Sequence, residues 1–153
     1  MKKLIIIFLF SIAAIGGAKA QKGHKHIGFQ VGYVYSGGYQ ASLAFDFSKK
    51  HYNAHSLALK YYRPYAYDNF LMGYNYKPVV VRDKNTTVRW IFGAYGGTDL
   101  KNFIISPNAG FEILQSLSPR LDLVFSNDNG YYFFADKLSR WRMSANIGVR
   151  FPL

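Results

Sequence analysis

Arg140-Trp141-Arg142-Met143-Ser144-Ala145-Asn146-Ile147-Gly148-Val149-Arg150-Phe151 alternates residue by residue over its whole length. Successive side chains of an extended chain point to opposite faces. Trp141, Met143, Ala145, Ile147, Val149 and Phe151 therefore share one face, and Arg142, Ser144, Asn146, Gly148 and Arg150 share the other. The stretch predicts a β-strand with a greasy side and a side of small, polar and charged residues.

Working outward, the same two-sided pattern recurs along the chain, in segments of about ten residues separated by turn residues. Ile27 to Tyr35 and Tyr39 to Phe47 flank Ser36-Gly37-Gly38, a tight-turn sequence. Ala54 to Tyr62 follows, then Phe70 to about Val81, in which Pro78 marks a membrane boundary or a bulge because it brings no N–H to a ladder. Thr86 to Tyr95 and Phe103 to Gln115 come next. The strand beginning at Arg120 has two candidate ends. Asn127-Asp128-Asn129-Gly130 reads as a turn, but the alternation favours continuation to about Phe134, with the loop tip at 135–139. With Arg140 to Phe151 this makes eight strands, an even number that brings both ends of the barrel to one side. No helical periodicity interrupts them.

Which face points outward decides the class. A soluble ligand-binding barrel would turn its apolar face inward and show a polar exterior. Here the polar face is dominated by Gly, Ser, Ala, Asn and Gln, which suit a narrow lumen better than a solvated surface. Its charges are Asp46, Lys60, Arg89, Glu112, Asp122, Arg142 and Arg150. Buried charges must be paired and hydrogen-bonded, so these predict an ion-pair network that plugs the interior. The opposite face carries Phe29, Tyr33, Phe45, Tyr61, Tyr74, Trp90, Phe111, Phe125, Trp141, Ile147 and Phe151, as lipid-facing or interfacial-girdle residues of a chain that is 18% aromatic. The expectation is an all-β, eight-stranded antiparallel up-and-down transmembrane β-barrel. A soluble periplasmic ligand-binding barrel with an aromatic core is the competing fold.

The first twenty residues read as a cleaved signal peptide. Met1-Lys2-Lys3 is basic, Leu4 to Ile15 is apolar apart from Ser11, and Ala18-Lys19-Ala20 fits the small-x-small cleavage pattern. The barrel domain is then residues 21–153. The apolar run is short for a membrane-spanning helix, which needs ~20 residues. With no Cys in the chain, a lipoprotein signal, disulfides and thiolate metal sites are excluded. The formal charge of +11 falls to +8 once Lys2, Lys3 and Lys19 are removed. The remaining Lys and Arg are scattered singly, which fits acidic lipid head groups or solubility rather than nucleic acid.

Longer outside loops and short periplasmic turns set the orientation. Ser48–Asn53, Asp83–Asn85 and Ser116–Pro119 are assigned to the periplasm. Arg63–Asn69, Gly96–Asn102 and the region of Ala135–Ser139 are assigned outside, and Ser36–Gly38 is short for an outside loop.

Catalytic and metal motifs fail on geometry. His24 and His26, and His51 and His55, lack a carboxylate or Cys set to complete a metal site. His55 and Ser56 are adjacent, so they point to opposite faces and make no nucleophile–base pair. There is no G-x-S-x-G, and Gly96-Gly97 leads into Thr98-Asp99 rather than a phosphate loop. The expectation is a non-enzymatic protein without cofactor or metal.

Leu117-Ser118-Pro119-Arg120-Leu121-Asp122-Leu123 and the strand Arg140 to Phe151 together resemble the closing two strands of the conjugal transfer protein TraO family of Bacteroides-type conjugative transposons. The start, Ala20-Gln21-Lys22-Gly23 before a Gly-alternating strand, is also similar. The middle of the chain departs from the family, with shorter loops. The resemblance implies an exported, OmpX-like outer-membrane barrel of a Gram-negative bacterium, serving as an accessory part of a conjugative DNA-transfer apparatus. Its partners would then be outer-membrane lipid and other conjugation or envelope proteins, with no direct contact to nucleic acid. A general surface barrel for adhesion or envelope integrity is the alternative function. Oligomeric state is left open.

Overall fold

The computed structural model describes residues 25–35, 37–48, 53–63, 68–135 and 140–153. The proposed signal peptide lies outside the described residues. The strands are β1 (Lys25–Val34), β2 (Tyr39–Ser48), β3 (Ala54–Arg63), β4 (Asn69–Lys77), β5 (Val79–Arg82), β6 (Thr86–Thr98), β7 (Phe103–Ser118), β8 (Leu121–Tyr131) and β9 (Trp141–Pro152). Every ladder is antiparallel, and β1 pairs with β9 as well as with β2, which closes the sheet. Phe29 on β1, for example, lies between Leu43 on β2 and Val149 on β9.

The nine strands make eight staves, because β4 and β5 both run beside β6 and form one interrupted stave. The interruption is Pro78. Its carbonyl still accepts the Trp90 N–H at 3.0 Å. Its missing donor breaks the ladder, and the register slips between Val79 and Val81. The freed Val79 N–H donates instead to Asn53 Oδ1 at 2.9 Å.

The Asn127–Gly130 run is strand, not turn. All four residues pair with both β7 and β9, and a bridge from Ile105 to Phe133 continues the pairing past the end of β8. The predicted loop Gly96–Asn102 contracts, since β6 runs on to Thr98. The predicted turn Ser116–Pro119 shrinks likewise, since β7 runs on to Ser118.

Close approach between staves explains inner-face glycines such as Gly32, Gly110 and Gly148. A Cβ at Gly148 would collide with Phe29 O and with Gln30 Cα of the neighbouring β1. Only a residue without a side chain fits where the strands of a narrow barrel coil this tightly.

Candidate functional site

The two faces of the wall separate by chemistry. Phe29, Tyr33, Tyr74, Trp90, Phe111, Phe125, Trp141 and Ile147 are each exposed on the outside, while Phe45, Tyr61 and Phe151 are half-buried among outward neighbours. Rings gather towards both ends of this belt. At the end holding the C-terminus of β1, Tyr61 contacts Tyr39 and Phe70, and Tyr131 contacts Phe133 and Trp141. Towards the other end, His55 meets Tyr74 and Tyr76, and Phe45 meets Phe47. His55 Nδ1 and the Tyr74 hydroxyl are hydrogen-bonded.

The inner face holds charge. Near the end where β1 begins, six side chains of alternating sign form one connected chain across the lumen. Asp122 accepts from Arg150 Nη2 at 2.5 Å and Nε at 3.0 Å. Arg150 Nη1 lies 3.6 Å from Asp46. Asp46 is 3.2 Å from Lys77 Nζ, which also donates to Glu112 at 2.9 Å. Glu112 then reaches Arg89 at 3.4 Å. Ser116 adds a hydroxyl to Asp122 at 2.7 Å. Six different strands, β8, β9, β2, β4, β7 and β6, are thereby tied together through the interior.

Farther along, Lys60 pairs with Asp128 and sits 4.0 Å over the Tyr95 ring. The Tyr95 hydroxyl accepts from Asn75, Asn75 accepts from Asn108, and Asn108 donates to Asp128. Gln40, Asn146, Ser126 and Gln30 form a second polar run beside it. A small cavity of about 30 Å³ is bordered there by Lys60, Tyr95, Asp128 and Asn146.

The opposite end is closed differently. Tyr62, Leu71, Ile104, Tyr132 and Ala135 are buried there. The Arg142 guanidinium lies 4.2 Å from the Tyr62 ring centre and 3.8 Å from that of Tyr132.

Of the seven inward charges expected from the sequence, five (Asp46, Arg89, Glu112, Asp122 and Arg150) join the single network. Lys60 takes a separate partner. Arg142, also buried on the inner face, stands second in β9, away from the six-membered ion chain, with its guanidinium over the Tyr62 and Tyr132 rings. Sequence reasoning misses two members of the lumen. Lys77 shares its face with Gly73 and Asn75, but it ends a strand next to a proline, where a solvated position is the default. Asp128 is hidden in a run that resembles a turn. The signal for both is the alternation itself, continued one step farther. Of the four histidines, His24 and His51 lie outside the described residues. Among the described residues no three His, Cys, Asp or Glu side chains gather in a way that would hold a metal.

No protein-family model and no curated protein matches the chain. Solved structures do. Neisserial surface protein A aligns with a TM-score of 0.65 and 11% identity, over 85% of this chain and 97% of that one. A de novo designed transmembrane β-barrel gives 0.64 and 16%, over 88% and 100%. A major outer membrane protein from Thermus thermophilus gives 0.60 and 12%, over 84% and 98%. At these identities the likeness is one of fold: the chain is a closed eight-stranded antiparallel barrel of the kind seen in those outer-membrane proteins.

Proposed function

We propose that this chain spans the outer membrane as a plugged, non-enzymatic barrel that acts through its rims and its outer surface rather than through a pore. The observation that carries the reading is sidedness. Phenylalanine, leucine, isoleucine and tryptophan cover the outside, and an alternating ion chain fills the inside. Reversed, that distribution would suit a soluble ligand-binding barrel. As it stands, water would meet the wrong face, while hydrocarbon meets the right one. Closure of the sheet also satisfies the requirement that no unpaired strand edge face lipid. The lumen charges are consumed by one another and by aromatic rings, which leaves structure as their role. An eight-stranded interior is just wide enough for side chains to fill, and the cavity beside Lys60 and Asp128 is too small for a nutrient.

Expression of the full chain followed by envelope fractionation tests this. The protein should require detergent for extraction and should migrate differently on a gel before and after boiling. Recovery in the soluble periplasmic fraction would overturn the membrane reading.

Within that reading, an accessory role in conjugative DNA transfer rests on the resemblance of residues 117–123 and 140–151 to the closing strands of the TraO family. A general surface barrel for adhesion or envelope integrity is equally compatible with the fold. Flanking transfer genes, together with loss of mating efficiency on deletion, would favour the first. An isolated locus and unchanged mating would favour the second.

A further inference from the structure

At the mouth of the lumen where β1 begins, the ion chain leaves N–H groups over. Arg89 on β6 is 4% exposed and donates to Glu112 through Nη1 at 3.4 Å, while its Nε is buried with no hydrogen-bond partner among the described residues. Arg150 on β9 is 7% exposed and donates through Nε and Nη2 to Asp122. Its Nη1 lies 3.6 Å from Asp46 and is likewise buried without a hydrogen bond. His26 on β1 shares the inner face with Gly28 and Gln30 and stands in register with Asp46. Its Nδ1 is another buried atom without a partner among the described residues.

These atoms border one space. The charges of Arg150, Asp122, Asp46 and Arg89 all act on the His26 ring, and those of Arg150 and Asp46 act on Arg89. Because β1 runs between β2 and β9, the groups facing His26 are Asp46 from β2 and Arg150 from β9, with Asp122 from β8 and Arg89 from β6 across the lumen. Leu114 and Val124, next on the inner face after Glu112 and Asp122, are buried and give this end apolar walls. Such walls strengthen the charge interactions beside them. Guanidinium nitrogens only donate. Water would bring hydrogens of its own, and the carboxylates here are already engaged by Lys77 and Arg150. An anion brings acceptors only, and guanidinium bonds to it are charge-assisted.

We propose that this mouth binds one small monovalent anion, such as chloride or formate, between Arg89 Nε, Arg150 Nη1 and His26 Nδ1, as a structural ligand that completes the plug. The site goes beyond the plugged-barrel reading and rests on it only for a closed lumen. The cations and carboxylates of the ion chain already balance one another. The positive charge that matches the anion therefore comes from His26. A protonated imidazole carries N–H on both ring nitrogens, so the anion binds together with a proton on His26. Asp46 and Asp122 beside the site repel a second negative charge, which excludes sulfate.

Nuclear magnetic resonance of the arginine side chains tests this, on the full chain folded in zwitterionic micelles. Sodium chloride is titrated in, with sodium sulfate at matched ionic strength as the control. The Arg89 and Arg150 N–H resonances should shift saturably with chloride and not with sulfate, and formate should compete. Affinity for chloride should fall about tenfold or more between about pH 5 and about pH 8, and by a similar factor in His26→Leu. Arg89→Lys keeps a cation beside Glu112 but removes the Nε–H, and Arg150 should then report weaker binding. Linear shifts no larger than those of the exposed Arg120, or equal affinity in the wild type and His26→Leu, would overturn the inference. Heat-modifiable migration of each variant separates loss of the site from loss of the barrel.

Discussion

The two ends of the lumen solve one problem in two ways. Both must bury cationic side chains inside a sealed wall. At the end where β1 begins, the solution is stoichiometric: Arg150, Lys77 and Arg89 alternate with Asp122, Asp46 and Glu112. At the other end Arg142 is held against Tyr62 and Tyr132. An ion chain fixes several strands at once but fails as a unit when one member is lost. An aromatic clamp spreads its attraction over ring faces instead of a chain of point charges.

The largest expected effect comes from breaking the ion chain. Glu112→Leu leaves Lys77 and Arg89 facing each other without their shared carboxylate, and should cost about 3–5 kcal/mol. Denaturant unfolding in lipid vesicles, followed by Trp90 and Trp141 fluorescence, would measure it. A loss below about 1 kcal/mol would mean that the network is not the clamp described. On the outside of the same wall, Ile147→Arg should lower stability by about 2–4 kcal/mol for a site near the bilayer midplane. No change in that measurement would place position 147 away from lipid. Arg142→Met should cost less than either, about 0.5–2 kcal/mol, the scale of a cation held on aromatic faces. If it equals Glu112→Leu, the contrast between the two ends collapses.

The smallest effect belongs to the β6–β7 tip, outside the belt. Burial pushes the Asp99 carboxyl up, but hydrogen bonds from the Asn102 and Lys101 N–H groups, at 2.5 and 2.9 Å, outweigh it and hold the pKa below the ordinary carboxylate range. A lowered folded-state pKa stabilises above the unfolded value and is lost as pH falls through the folded one. Asp99→Ala should therefore speed amide exchange at Lys101 and Asn102 near neutral pH. The variant and the wild type should converge in strong acid, with global unfolding unchanged.

Much of this was legible from period-two alternation. Trp141 to Phe151 showed its two faces completely, and the positions of Asp46, Arg89, Glu112, Asp122 and Arg150 on the polar side followed from counting by twos. Pro78 was legible as an interruption, though not as a bulge that redirects the Val79 N–H to Asn53. Asn127–Gly130 has the composition of a turn, and only pairing on both edges holds it extended.

By itself the sequence determined which side chains share a face, because alternation is a property of any extended backbone. It also determined the number of staves, because turn residues punctuate them. The tertiary structure alone decided which charges meet. Partners such as Lys77 and Asp46 lie on strands that are not neighbours in the sheet, and the distance across a closed lumen depends on how far the staves are staggered when the ring shuts. Local residue patterns carry no measure of that stagger, so the links from Arg150 through Asp46 and Lys77 to Glu112, and the Lys60–Asp128 pair, emerge only on closure.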